Sequence, residues 1–209
     1  MKLNALEFLV VNNPMRAYVQ EHYGLSILLK MMPPIKCETV LEIGCGNGTG
    51  AKLAKKYLNP GRVCGIDLDE RMIRTAVSRT RNTGIPFGVM DSTALGFPKE
   101  TFNLVLDFGI IHHIPNWKDC IAEIYRVLKP GGALVMEDLS IETFSGFPGK
   151  LWKRLLAHPY AEMYSVEEFI SCLDRVGLTV IDLKVSNPFK MIKFFSLVAV
   201  KADSNLSSV

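Results

Sequence analysis

Short apolar runs alternate with helix-spaced apolar stripes along the first 140 residues. "TVLEIG" (39–44) reads as a buried strand. "TGAKLAKKYL" (49–58) reads as the helix after it, stopped by Asn59-Pro60-Gly61. "RVCGID" (62–67) is a second strand. The helix expected from Asp69 to Asn82 sets Met72, Ile73, Ala76 and Val77 on one face and Arg71, Arg74 and Arg81 on the other. "IPFGVMD" (85–91) and "FNLVLDFG" (102–109) are strands three and four. "WKDCIAEIYRVL" (117–128) places Trp117, Ile121, Ile124 and Leu128 on one stripe, "KPGG" ends it, and "ALVMEDL" (133–139) is strand five. Such alternation folds into right-handed βαβ units around a parallel sheet.

The rhythm breaks after residue 140. A Phe/Gly-rich stretch leads into a short helix, "KLWKRLLA" (150–157), with Leu151, Trp152, Leu155 and Leu156 opposite Lys150, Lys153 and Arg154. It reads either as an ordinary packed helix or as a basic amphipathic one that lids a greasy substrate or touches a membrane surface. "SVEEFISCLDRV" (165–176) opens with a capping box, Ser165 and Glu168, and stops at Gly177. Two last strands, "LTVIDLKV" (178–185) and "MIKFFSLVAV" (191–200), are joined through Asn187-Pro188. That link is too short for a parallel crossover, so the pair is expected to be antiparallel. The expected fold is α/β: a Rossmann-like, seven-stranded, mostly parallel sheet with helices on both faces and an antiparallel last strand.

A chain of 209 residues favours one domain, 1–209. The net charge of +3 is too small to argue for nucleic acid. No apolar run reaches the roughly 18 residues that span a bilayer. The stretch Leu3–Val11 is interrupted by Asn4 and Glu7 and lacks a small-residue cleavage site, so it is not read as a signal peptide. Cys37, Cys45, Cys64, Cys120 and Cys172 are scattered and odd in number, as expected for free thiols in a reducing, cytoplasmic location.

Candidate chemistry centres on "VLEIGCGNGTG", Val40 to Gly50, where Gly44, Gly46, Gly48 and Gly50 fall on alternate positions. The loop joins a strand to a helix at the carboxyl edge of a parallel sheet, where open α/β folds bind ligands. Glycine lets a ligand lie against bare backbone, and the helix amides offer hydrogen bonds to an anion. A phosphate loop fails, because Gly48 is followed by Thr49-Gly50-Ala51. A dinucleotide fingerprint fits only in the shifted register Gly46, Gly48, Ala51.

The run Glu42-x-Gly44-x-Gly46-x-Gly48 resembles motif I of the class I S-adenosylmethionine-dependent methyltransferases, and the likeness continues for about a hundred residues. The resemblance implies S-adenosylmethionine as cofactor. It makes Asp67, in "GIDLDERMI", the carboxylate for both ribose hydroxyls; Asp91, in "VMDSTALGFP", the partner of the adenine amino group; and the Ser92 amide a donor to a ring nitrogen. Glu42 is placed to position the cofactor's amino group, with Cys45 and Leu68 beside the loop and the second acidic site. Asp69 reads as the cap of the next helix. Asp107 stands where some methyltransferases carry (N/D)PPY, but "DFGI" lacks that motif's prolines and tyrosine. This argues against methylation of nucleic-acid bases and glutamine, and leaves Asp107 as a residue lining the site through its carbonyl.

His112-His113 offers a proton acceptor for the substrate or, alternatively, packing beside the cofactor. No metal site is expected, because adjacent side chains diverge and no carboxylate-rich partner is evident. In this family the N-terminal segment and the insertion after strand five commonly form the substrate pocket, here a helical cap at 1–35 and a lid at 140–164. They supply Tyr18, Tyr23, Phe144, Phe147, Trp152, Tyr160, Met163 and Tyr164. The expected activity is methyl transfer to a small apolar or aromatic acceptor, in the branch with ubiquinone and menaquinone C-methyltransferases and small lipid N-methyltransferases. A nicotinamide-dependent oxidoreductase and a non-catalytic cofactor-binding protein are the alternatives.

Overall fold

A computed structural model describes residues 12–145, 149, 153, 158–187 and 193–203. Seven strands form one sheet: β1 Thr39–Ile43, β2 Arg62–Asp67, β3 Phe87–Val89, β4 Phe102–Phe108, β5 Leu128–Asp138, β6 Leu178–Ser186 and β7 Phe194–Lys201. Their order is β3-β2-β1-β4-β5-β7-β6. Only β7 runs against its neighbours, inserted between β5 and β6 and antiparallel to both. The expected reversal of the last strand is therefore present.

The helices are α1 Pro14–Val19 and α2 Leu25–Met31, joined by a π-helical turn at Gln20–Gly24, then α3 Thr49–Leu58, α4 Glu70–Arg79, α5 Trp117–Val127 and α6 Val166–Val176. The α5 stripe is buried as its periodicity demands, with Ile121, Ile124 and Leu128 all sealed. It joins Leu41, Val105, Leu134 and Phe169 in one core, while Val40, Ala51, Leu104 and Val135 form a second core across the sheet. Burying each such aliphatic side chain is worth roughly 1.5–3 kcal/mol. Asp69 caps α4, accepting from the Arg71 N–H at 2.9 Å. The capping box of α6 is complete, and Gly177 ends that helix at φ 94°.

Three expectations are corrected. Val77 is exposed, because α4 packs only through Met72, Ile73 and Ala76. "KPGG" does not merely end α5. The chain re-enters the sheet at Leu128, opposite Phe102, slips register through the glycines, and pairs Ala133 with Leu104. Strand three shrinks to three residues at the sheet edge. Most of the expected helix at 150–157, with Phe147 and Trp152, lies outside the described residues.

Candidate functional site: a two-compartment cleft above the sheet

β1 ends in the glycine loop, whose backbone demands are met largely by the protein itself. Gly44 has φ +57°, and a Cβ there would fall 2.3 Å from Ile110 Cγ1. Gly48 caps α3 at φ +80°, and its missing side chain leaves room for Ala76 and Phe87. A Cβ at Gly50 would strike the Glu42 carboxylate. Asn47 closes the loop by accepting from Thr49 N and Oγ1 at 3.2 and 2.6 Å.

Two connected compartments lie over this edge. The first is walled by Arg16, Ala17, Gln20, Glu42, Cys45, Gly46, Thr49, Phe108 and Gly109, among others. The second is walled by Leu68, Met90, Asp91, Ser92, Ile114 and Asn116. Gly44, Asp67, Ile110 and His113 border both.

Asp67 is fixed between the compartments. Its Oδ2 accepts from Gly46 N at 2.9 Å and its Oδ1 from Asp69 N at 2.8 Å. Burial raises its pKa, against those two hydrogen bonds. Asp91 is exposed and turned onto Thr93 N and Oγ1 at 2.9 and 2.8 Å.

Glu42 is the more perturbed acid. Burial pushes its pKa to about 8, opposed by the Ala51 N–H and assisted by the nearby Asp67 charge. Its Oε2 is buried with no hydrogen-bond partner. An unmatched buried acceptor costs roughly 1–3 kcal/mol, which an N–H donor entering the cavity would relieve. Arg16 stands across from it. Arg16 is exposed and lines the cavity, and the Glu42 and Glu137 carboxylates act on its charge. A sulfonium amino acid joined to adenosine fits these donors and acceptors. Arg16 suits its carboxylate, Glu42 its ammonium and Asp67 a vicinal diol.

Behind the cleft wall lies a buried polar network. His112 sits on the short 3-10 turn Ile111–His113, and its Nδ1 is hydrogen-bonded to Asp138 Oδ1 at the end of β5. Asp138 Oδ2 also accepts from Tyr164 Oη at 2.7 Å and from the His112 N–H at 3.1 Å. Burial works to raise the Asp138 pKa, but His112 and the Tyr164 hydroxyl bring it below the usual range. Neighbouring Asp107 is driven well upward by burial and by the Asp138 charge. The adjacent histidine rings do not diverge. Their centroids are 4.1 Å apart, and His158 closes on both, at 5.0 Å from His112 and 4.4 Å from His113. Burial and the neighbouring rings hold His113 well below the normal histidine pKa. His158 is lowered to about 4, by burial and then by His112.

Residues 41–136 match the family described as a methyltransferase domain. Over that segment the chain is similar to the class I S-adenosylmethionine-dependent methyltransferases. Phthiotriol/phenolphthiotriol dimycocerosates methyltransferase of Mycobacterium tuberculosis is 37% identical over 100 residues, covering 48% of this chain and 37% of that one. Fatty-acid O-methyltransferase of Mycolicibacterium smegmatis is 30% identical over 131 residues, 63% of this chain and 46% of that one. The ubiquinone/menaquinone biosynthesis C-methyltransferase of Hydrogenovibrio crunogenus is 33% identical over 153 residues, 70% and 54%. The chain thus spans about a third to a half of the length of these curated relatives. A solved S-adenosylmethionine-dependent methyltransferase from Aquifex aeolicus shares the fold, with TM-score 0.72 and 20% identity over 95% of this chain and 99% of that one. The match favours the methyltransferase reading over the nicotinamide alternative.

Within the methyltransferase cleft, the predicted residues Glu42, Gly44, Cys45, Gly46, Asp67, Leu68, Asp91, Ser92 and His113 all border the two compartments. Three others do not. Gly48 serves packing, His112 stands behind His113, and Asp107 is sealed under the floor with its Oδ1 accepting from Ile110 N at 2.9 Å. The cleft wall there is Phe108, Gly109 and Ile110 instead. Tyr18 and Tyr23 are exposed, and Tyr164 is packed on Trp117 and Phe169 in the core, so none of the three lines either compartment. Sequence reasoning missed Arg16, Gln20, Asp138 and His158. Only Asp138, an acid at the carboxyl end of a strand, carried a legible signal. No helix among the described residues is long and apolar enough to cross a membrane.

Proposed function

We propose that this chain transfers the methyl group of S-adenosylmethionine to an oxygen of a small, largely apolar acceptor. The observation that carries the cofactor assignment is the Glu42 Oε2 atom, buried without a partner opposite the Arg16 guanidinium in the cavity over the glycine loop. When bound, the cofactor supplies an activated methyl group on a sulfonium leaving group. Arg16 pairs with its carboxylate, Glu42 holds its ammonium, Asp67 takes the ribose hydroxyls, and Asp91 with the Ser92 amide borders the adenine. Helix α1 and the π-helical turn after it act as the cap, since Arg16, Ala17 and Gln20 reach the cavity from one face of that segment. The insertion at 140–164 acts as the lid.

His113, on the border of both compartments, faces the reacting oxygen, and His112 stands behind it on Asp138. Phe144 and Tyr160 extend an apolar wall past His158, with ring centroids 5.4 and 5.5 Å from it. The protein's contribution is alignment and exclusion of water, and alignment alone is worth several kcal/mol. The printed name of the fatty-acid O-methyltransferase relative supports an oxygen acceptor on a lipid-like body.

The test is incubation with methyl-labelled cofactor and a panel of fatty acids, long-chain alcohols, phenolic lipids and quinols, followed by mass spectrometry. A labelled ether or ester that disappears in His113→Gln, with cofactor affinity retained, is the expected result. Label appearing only on carbon or nitrogen would overturn the acceptor assignment. Cofactor binding with no transfer to any class would favour the non-catalytic alternative.

A further inference from the structure

We propose that His112, His113 and His158 bind one divalent transition-metal ion of the zinc class, whose open position receives the acceptor oxygen. This rests on the methyltransferase reading and says how its histidines act.

The geometry comes from three places in the chain. One nitrogen from each ring lies within 4.8 Å of the others. His113 Nδ1 and His158 Nδ1 are 3.1 Å apart. Two ligands on a tetrahedral ion with bonds of 2.0–2.1 Å sit about 3.4 Å apart, so this pair already has near-ligating separation. His112 cannot offer Nδ1, which is held by Asp138. It therefore presents Nε2, and a carboxylate behind a histidine is the usual outer support of a metal-binding imidazole. Asp138 is itself fixed by Tyr164 Oη at 2.7 Å and by the Leu139 N–H at 2.7 Å.

A second observation is independent of that convergence. The other nitrogen of the His158 ring, Nε2, is buried with no hydrogen-bond partner, so among the described residues only the His113 ring engages this imidazole through nitrogen, and its tautomer is not fixed by a protein carbonyl or carboxylate. Phe144 and Tyr160 crowd the same ring and keep solvent from taking its place. All-imidazole donors select zinc, copper, nickel or iron over magnesium and calcium. Three protein ligands leave the fourth position open, as in catalytic rather than structural sites.

An ion there sits against His113 at the border of both cleft compartments. A hydroxyl bound to it loses its proton to solvent more readily, as metal-bound water does. The resulting oxygen forms a C–O bond to the methyl carbon while the S–C bond breaks and its electron pair stays on sulfur. No oxidant or reductant is needed.

The test is calorimetric titration of Zn²⁺ into the chelator-treated protein, with Co²⁺ absorption spectra in parallel. One equivalent should bind, with a tetrahedral cobalt spectrum that lacks thiolate charge-transfer bands. His158→Gln and His112→Gln should each weaken binding at least 100-fold, Asp138→Asn about 10- to 100-fold, and His22→Gln not at all, since that ring stacks on Tyr18. Failure of the wild-type protein to bind one equivalent, or unaltered titrations in both His158→Gln and His112→Gln, would overturn the proposal. Cofactor affinity measured on the same samples separates the two readings. Cofactor binding without metal binding sinks only the metal site, and loss of cofactor binding in wild type sinks the methyltransferase reading itself.

Discussion

Replacing Glu42 by Gln tests both the cofactor assignment and the buried acid that underlies it. The wild-type carboxyl titrates at about 8 against an ordinary 4.5, because burial outweighs the Ala51 N–H and the Arg16 charge, with Asp67 adding to the rise. Each pH unit of such displacement corresponds to 1.36 kcal/mol, so ionising Glu42 in the cofactor-free protein costs on the order of 5 kcal/mol. The folded pKa lies above the unfolded one, so the contribution is fully present below pH 4.5 and is lost as pH rises toward 8. The cofactor-free wild type should therefore lose thermal stability from pH 5 to 8, while Glu42→Gln stays flatter and overtakes it. In the complex the same charge meets an ammonium group, and a hydrogen bond to a charged group is worth roughly 1.5–3 kcal/mol. Ionising an acid of pKa about 8 at pH 7 first takes back about 1.4 kcal/mol, so at about 1.4 kcal/mol per tenfold Glu42→Gln should bind S-adenosylmethionine up to roughly 10-fold more weakly at pH 7. Thermal unfolding across pH and isothermal calorimetry read the two effects. Parallel pH–Tm curves would show that the acid is not perturbed by burial, and equal cofactor affinity would show that it does not hold the amine.

Two further substitutions separate packing from binding. Gly48→Ala places a side chain at φ +80°, within 3.0 Å of Ala76 Cβ and 3.1 Å of Phe87 Cζ. With about 1–2 kcal/mol for the left-handed backbone alone, the cofactor-free Tm should fall by at least ~2 °C; an unchanged Tm with lost affinity would return Gly48 to the ligand. Arg16→Gln should weaken cofactor binding about 10-fold with Tm nearly unchanged, because the side chain opens to the cavity, and calorimetry showing full affinity would remove the carboxylate clamp.

Short-range physics leaves its mark directly in the order of residues. The period of apolar residues set α3 and α5 and most of the strands. The Ser165/Glu168 box and Gly177 bounded α6. The acids closing β1 and β2, Glu42 and Asp67, were legible because strand ends deliver side chains to one sheet edge. The remaining features depend on how the elements dock. β7 enters between β5 and β6, a choice that local periodicity does not encode. The glycine spacing looked like room for a ligand, yet Gly44, Gly48 and Gly50 chiefly make way for Ile110, for Ala76 with Phe87, and for Glu42, contacts that exist only once the layers pack. Arg16 reaches the cleft from a separate helix, and His158 meets His113 across 45 residues of chain. Such convergence leaves no periodic trace, because it depends on where elements dock and not on the local conformation of any one of them.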